Sequence, residues 1–313
     1  MECRHFVRLN VAQAFSIAAL AMIGAALEAS GQNPTAQTSP ASPDWSGVEQ
    51  ALGRKGTPNP GGVLKFSFPR SDLSVSVGGV TLKPALALGG WVAFKELSKG
   101  QAMAMGDLVL TEDEVSPVMR ALQAGGVEQT ALHNHVLKES PRVMYMHILA
   151  HGDPSKIART IHDALGQSKT PLGPGSPPSA ASAAELDTAG IARALGVASK
   201  LNGVVYQVSI ARSERITEMG TEVPASMGVA TAINFQPTGG GKAAITGDFV
   251  LRASEVNPVI RALRDRGIEV TALHSHMLTE EPRLFFMHFW ANDDALQLAR
   301  GLRAALDRTA SKK

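Results

Sequence analysis

Residues 204–210 alternate apolar and polar side chains, with Tyr206 and Val208 on one side, which is the period of a half-buried strand. Further along the period changes. Val118 and Leu122, and then Val259 and Leu263, stand four apart and mark one face of a helix. Ser116-Pro117 and Asn257-Pro258 each offer an N-cap residue before a proline suited to the first helical position. Gly125-Gly126 and Gly267 stop these helices. Strands follow at residues 127–136 and 268–277, then turns at Glu139-Ser140-Pro141 and Glu280-Glu281-Pro282. Second strands at 143–149 and 284–290 lead to last helices at 154–165 and 294–306.

The earlier part of each pattern is also punctuated. Short helices end at Gly53 and Gly196, and Gly239-Gly240-Gly241 turns a hairpin between strands at 228–235 and 243–251. That glycine run is not a phosphate loop, because Lys242 is followed by Ala243 where a Ser or Thr is needed. The order within each half is ββαββα. It predicts an α+β fold, a tandem duplication in which antiparallel sheets pack with helices.

The duplication is visible residue by residue. Gly106-Asp107 matches Gly247-Asp248 at an offset of 141, and the register holds without a gap to His147 and His288, with 24 identities in 42 positions. Upstream, Ala51-Leu52-Gly53 answers Ala194-Leu195-Gly196, and Arg70-Ser71-Asp72 answers Arg212-Ser213-Glu214. Between the copies lies a stretch rich in Pro, Gly and Ser that has too little apolar surface to order itself, and it reads as a flexible linker. The predicted layout is a signal peptide over residues 1–29, a disordered spacer over 30–43, repeat one over 44–165, the linker over 166–184, and repeat two over 185–313.

The signal rests on Arg4 and Arg8 ahead of an apolar run at residues 11–27, with small residues around Ala26 and Ala29 for cleavage. No other stretch is apolar enough for a helical span, so no stable membrane span is expected once the signal is removed. The single cysteine, Cys3, stands before the apolar run, so no lipobox follows it, and the mature chain has neither disulfides nor thiolate ligands. The expected location is periplasmic or secreted. A net charge of +2 with no Lys/Arg cluster argues against nucleic-acid partners, and a small-molecule ligand is the partner class left open. Oligomeric state is not legible.

Six of the nine histidines are retained at matched positions: His133, His135 and His147, and His274, His276 and His288. Strand alternation puts His133 with His135, and His274 with His276, on one face. His147 and His288 reach them from the next strand, with Glu139 and Glu280 at the turn between. Three imidazoles and a carboxylate per repeat predict a site for a divalent transition metal: zinc, iron, manganese, nickel or copper. The copies either hold a site each, one of them the better binder or the other a vestige, or pack about a pseudo-twofold axis and share a single cleft. The spacing H-x-H-x-x-x-E resembles the first metal motif of the cupins, a likeness in how a strand pair presents ligands. The competing reading is a set of core histidines packed among Tyr145, Leu149, Leu284, Phe286 and Trp290.

Other matched polar residues are candidates too. Asp107 and Asp248 are read either as general base or ligand-orienting acceptor, or as Gly-Asp turns. Arg142 and Arg283 would clamp an anion, or else pair with Glu139 and Glu280. Glu114 and Glu255 sit just before helix N-termini, where negative charge is favourable without any function. No G-x-S-x-G elbow is present, so serine catalysis has no support.

The run Thr271-Ala272-Leu273-His274-Ser275-His276-Met277-Leu278, with Glu280, Pro282-Arg283 and Met287-His288 after it and its copy-one partner, resembles the bacterial LppY/LpqO family. That resemblance implies a two-repeat exported protein with a domain of unknown function and supplies no reaction. Three functions therefore stand open: a metal-dependent enzyme, a non-catalytic metal- or ligand-binding envelope protein, and a structural protein with core histidines.

Overall fold

The computed structural model describes residues 43–174 and 186–312. The signal and spacer expectations, and most of the linker, fall on residues outside these. Repeat one opens with α1 (Ser46–Leu52), ended by Gly53 in the left-handed region at φ 66°. Strands β1 (Thr57–Asn59) and β2 (Val63–Pro69), the small β3 (Ser76–Val77) and β4 (Val80–Thr81), and the turn α2 (Pro84–Ala87) follow. Then come β5 (Gly89–Ser98), β6 (Gln101–Thr111), α3 (Glu112–Ala124), β7 (Glu128–His133), β8 (Val143–Gly152) and α4 (Pro154–Leu165).

Repeat two has the same order. It runs α5 (Thr188–Leu195), β9 (Lys200–Asn202), β10 (Val205–Ala211), β11 (Thr217–Glu218) and β12 (Thr221–Glu222), then a 3-10 turn at Ala225–Met227. It continues with β13 (Ala230–Gly239), β14 (Lys242–Leu251), α6 (Ala253–Arg264), β15 (Glu269–His274), β16 (Glu280–Glu281), β17 (Phe285–Asp294) and α7 (Ala295–Leu306). The α+β duplication predicted from the chain is the architecture observed.

Each repeat builds a six-stranded antiparallel sheet, in the orders β1-β2-β5-β6-β8-β7 and β15-β17-β14-β13-β10-β9. Alternation assigns the faces. On β6, Ala102, Ala104, Leu108 and Leu110 join the core under α1, α3 and α4, while Met103, Met105 and Val109 point the other way. On β17, Met287 and Phe289 pack with α5, α6 and α7, while Phe286 points away from them. The faces turned from the helices meet each other. Val63, Ala93, Met103 and Leu149 pack with Val223, Met227, Val250 and Phe286, and Val109 and Tyr145 share a core with Val205 and Ala244. Both sheets thus lie between two helical layers, within one compact unit. Asp107, His147, Asp248 and His288 occupy the sheet–sheet face.

Three sequence readings need adjustment. Helices α3 and α6 begin one turn earlier than the Ser-Pro and Asn-Pro signals suggest. Thr111 and Arg252 are the N-caps, Glu114 and Glu255 stand at the third helical position, and Pro117 and Pro258 lie inside. Glu114 accepts from the backbone N–H of Thr111 at 2.9 Å, and Glu255 from that of Arg252 at 2.7 Å. That capping bond sets the start.

These glutamates, placed by the sequence just before the helices, lie within the first turn and are buried in ion pairs as well. Arg70, fully buried, donates to Glu114 Oε2 at 2.7 Å, to Asp72, and to the Val109 carbonyl at 2.7 Å. Arg212 repeats this with Glu255, Glu214 and the Val250 carbonyl. Finally, the first part of the linker is ordered: Thr170 is buried, and Arg54 donates to the carbonyls of Pro171 and Gly173 at 2.8 Å.

Candidate metal centre

In each repeat an Asp-His pair is set by strand register. Asp107 on β6 faces His147 on β8, and Asp248 on β14 faces His288 on β17. The glycine before each aspartate is required by close approach: a Cβ on Gly247 would stand 1.9 Å from the Ala232 carbonyl oxygen, and one on Gly106 2.8 Å from that of Trp91. His133 and His274 end β7 and β15, the outermost strands, opposite Tyr145 and Phe286. A bulge interrupts each outer strand between Gln129 and Ala131, and between Val270 and Ala272.

His135 and His276 therefore lie beyond the strands rather than two residues along them. They are turned inward by bonds to the other repeat. Thr130 Oγ1 donates to the His276 carbonyl at 2.6 Å, and Thr271 Oγ1 donates to the His135 carbonyl at 2.5 Å.

The sequence leaves open a cluster in each repeat or a single cleft shared by both; the structure brings all six imidazoles together between the repeats. His133 stacks on His274 with ring centroids 3.6 Å apart and His147 on His276 at 3.6 Å, while His135 lies tilted by 31° against His288 at 3.9 Å. These three pairs join the two copies, and exchanging the copies maps them onto themselves; within repeat two, His274 Nε2 and His276 Nε2 also lie 2.9 Å apart. The centre therefore lies on a pseudo-twofold axis. Ligand-capable atoms of His133, His274, His276 and His288 fall within 4.8 Å of one another. Aromatic rings wall the cluster, with Tyr145 stacked on His135 at 3.3 Å and Phe286 on His276 at 3.7 Å.

The aspartates belong to this cluster. Asp107 lies 3.9 Å from His135 Nε2 and 3.7 Å from His147 Nε2; Asp248 lies 3.6 Å from His276 Nε2 and 4.0 Å from His288 Nδ1. Their inclusion separates the functional reading from that of a Gly-Asp turn. The glutamates are held elsewhere: Glu139 accepts from the Val143 N–H at 3.2 Å, and Glu280 from the Leu284 N–H at 2.9 Å. Neither is in the four-residue group. Arg283 does pair with Glu280, at 3.2 Å, but Arg142 points to Glu112 at 3.8 Å, and both arginines are largely exposed. His151 is exposed as well.

Several nitrogens have a defined role. His133 Nδ1 contacts the Asn134 carbonyl at 3.1 Å and His288 Nδ1 the Gly247 carbonyl at 2.7 Å. Only a protonated Nδ1 can donate to a carbonyl, so in the neutral ring Nε2 carries the lone pair. Fixing the distal N–H on a carbonyl is how metal-bound histidines are oriented. Among the described residues, seven buried atoms of the cluster have no hydrogen-bond partner: Asp107 Oδ1, His133 Nε2, His135 Nε2, His147 Nε2, Asp248 Oδ1, His274 Nδ1 and His288 Nε2.

Burial governs the charge states. It pulls His133 down to about 4, His288 to about 3 and His274 to about 2, and neighbouring imidazoles add to the fall for His274. His135, His147 and His276 lie well below the ordinary value for the same two reasons. All six rings are neutral near pH 7, with lone pairs available. Burial raises Asp107 to about 7 and Asp248 well above its ordinary value, so a nearby cation would favour their ionised forms.

Two further residues escaped the sequence. Lys65 Nζ sits 3.8 Å over the Trp91 ring and donates to the Ser226 carbonyl at 3.3 Å; burial lowers its pKa to about 8 while Asp107 pulls it up. Trp91, Met105, Gly106, Met227, Gly228 and Val229 line a cavity of about 10 Å³, large enough for a single water, that reaches His147 and His276. Nothing in the repeat pattern marks them, because repeat two has Gln207 and Ala232 at the corresponding places.

Residues 46–167 and 189–308 each match the family model described as Domain of Unknown Function (DUF1259). No curated protein matches the chain. Among solved structures, a trimeric bacterial microcompartment shell protein, PduB, is 14% identical over 80% of this chain and 90% of its own, with a TM-score of 0.19. EtuB from Clostridium kluyveri is 10% identical over 81% and 91%, also at 0.19. Likenesses this slight do not bear on fold or assembly.

Proposed function

We propose that this chain, which belongs to the Domain of Unknown Function (DUF1259) family through two copies of its domain, is an exported protein whose repeats jointly hold a divalent transition metal. The observation that supports the reading best is the convergence of seven buried, unpartnered ligand-type atoms from both repeats. Each such atom costs roughly 1–3 kcal/mol when unsatisfied. Seven together rival the whole stability of an ordinary domain, about 5–15 kcal/mol. A core-packing role would not assemble them. A metal ion satisfies several at once, and neutral imidazoles suit zinc, iron, nickel or copper, with a carboxylate extending the range to manganese.

Export rests on Arg4, Arg8 and the apolar run at residues 11–27, and on the resemblance of the A-L-H-x-H segments to the LppY/LpqO proteins. The absence of a cysteine after that run favours release over lipid anchoring. The small cavity at His147 and His276 favours a second reading alongside simple metal holding: an open coordination position for water or another small ligand, the starting point for metal-assisted chemistry.

Elemental analysis of the protein purified from its export route tests the proposal. Stoichiometric metal is expected, with loss of most of it in the His274→Ala/His276→Ala variant. No metal in the wild type, even after it has been offered zinc, iron, manganese, nickel and copper, with the variant only melting at lower temperature, would return the histidines to the core.

A further inference from the structure

We infer that Trp91 decides which ligands reach the metal centre, admitting those the size of water, hydroxide or fluoride and holding back larger ones. The inference rests on the metal-binding reading above, with its open position at His147 and His276, and deepens it. The cavity that touches these two histidines has room for a single water. His276 belongs to the four-histidine group, and His147 has an unpartnered Nε2. Of the residues that line the cavity, only Trp91 and Gly228 are partly exposed, and the rest are buried. The way in from solvent therefore passes between the indole and this glycine.

The indole is held across that opening from both repeats. Gly228 ends the 3-10 turn at Ala225–Met227 in the left-handed region, at φ 91°. A Cβ there would stand 3.0 Å from Cζ2 and Cη2 of Trp91, so the rim of the ring lies on the bare backbone of repeat two. Lys65 Nζ sits 3.8 Å from the ring centroid and donates to the Ser226 carbonyl at 3.3 Å. The same lysine thus ties the ring to the same turn. Strand register fixes the root of the side chain, since Trp91 pairs with Asp107 on β6 and with Ser67 on β2.

This wall is built once. Ala232 holds the place of Trp91 opposite Asp248, and Gln207, in the place of Lys65, donates to the Ala85 carbonyl at 2.9 Å. The barrier accordingly belongs to one side of the pseudo-twofold axis. Shortening the side chain at position 91 opens it without altering any histidine.

Anion titration of the Cu²⁺-loaded full chain tests this, with fluoride as the small probe and azide as the longer one. Splitting of the copper paramagnetic resonance by fluorine reports the first, and the azide-to-copper absorption band reports the second. Fluoride is expected to bind wild type and Trp91→Ala alike, while azide is expected to bind Trp91→Ala about tenfold or more tightly than wild type. Trp91→Phe, which keeps a ring in the wall, is expected to fall between them and decides the matter if the alanine variant does not fold. Azide affinity that is equal or lower in the variants, relative to fluoride, overturns the inference and leaves the proposed metal protein intact. So does a Cu²⁺-loaded wild type that takes up neither anion. A wild type that binds no Cu²⁺ overturns both.

Discussion

Thr130 and His276 belong to different repeats, yet the hydroxyl of the first donates to the carbonyl oxygen of the second at 2.6 Å. Thr271 and His135 return the bond at 2.5 Å. Each threonine is the bulged residue of an outer strand, so the irregularity that spoils the ladder frees a side chain to reach across. The pair fixes where His135 and His276 turn inward.

Thr130→Val and Thr271→Val each leave a buried carbonyl unpaired at nearly constant shape. Each is expected to cost about 1–3 kcal/mol in denaturant unfolding and to weaken metal binding, because the histidine beside the freed carbonyl loses its anchor. Unchanged metal affinity in both variants would show that the threonines brace the fold without positioning ligands.

Arg70 with Glu114, and Arg212 with Glu255, are buried ion pairs away from the centre. Desolvation pushes the Glu114 carboxyl up, but the Arg70 guanidinium and the N–H groups of Lys169 and Thr111 together hold it below its ordinary value. A depressed carboxyl contributes stability that is present above the unfolded-state value, about 4.3, and is lost as pH falls through the folded one. The contribution of this pair, read as the difference between wild type and a variant lacking it, is therefore expected to hold to about pH 4.5 and to decline below it. Arg70→Met should cost about 3–5 kcal/mol near pH 7, since it leaves a buried carboxylate alone. In that variant the N–H groups of Lys169 and Thr111 still oppose burial, but Glu114 rises relative to the wild type, so the difference in stability from wild type shrinks as the pH falls and the carboxyl takes up its proton. Denaturant melts across pH 3–7 check both slopes.

Tyr145→Phe converts repeat one to the residue that repeat two carries as Phe286. It removes the hydroxyl bond to the Ala87 carbonyl at 2.9 Å and keeps the ring against His135. A stability loss of about 1 kcal/mol with metal content unchanged is expected. Loss of metal on this change would make the hydroxyl part of the site.

Gly247→Ala puts a methyl 1.9 Å from the Ala232 carbonyl, backbone against backbone, which neither strand can relieve without parting. Gly106→Ala meets the Trp91 carbonyl oxygen at 2.8 Å, also backbone, but needs a much smaller displacement of the neighbouring strand. Thermal melts should rank Gly247→Ala as much the more damaging, and equal midpoints would contradict the register described.

Much of the fold was legible in the chain because its cues are local. Gly53 and Gly196 end their helices in the left-handed region, at φ 66° and 70°, and Gly239 to Gly241 turn the β13–β14 hairpin. The starts of α3 and α6 misled, since a proline after a polar residue mimics an N-cap while the capping glutamates Glu114 and Glu255 lie upstream. The six histidines were legible as matched positions. Whether they form one cluster or two was left open, because sequence spacing specifies faces within a repeat and not which faces meet. Asp107 and Asp248 carried a signal, the repeated Gly-Asp on a strand opposite a histidine, that needed the register to be read. Glu139 and Glu280 look like ligands at the right spacing, but one oxygen of each accepts from the backbone amide four residues on, which holds the pair at the turns and outside the four-histidine group.

A metal centre shared by both repeats can be located in crystals of the loaded protein from anomalous scattering at the metal's absorption edge. Density is expected between the repeats, within roughly 2.0–2.2 Å of imidazole nitrogens drawn from both. Density at the Glu139 or Glu280 turns, or confined to His151 or His162 outside the cluster, would contradict a shared centre.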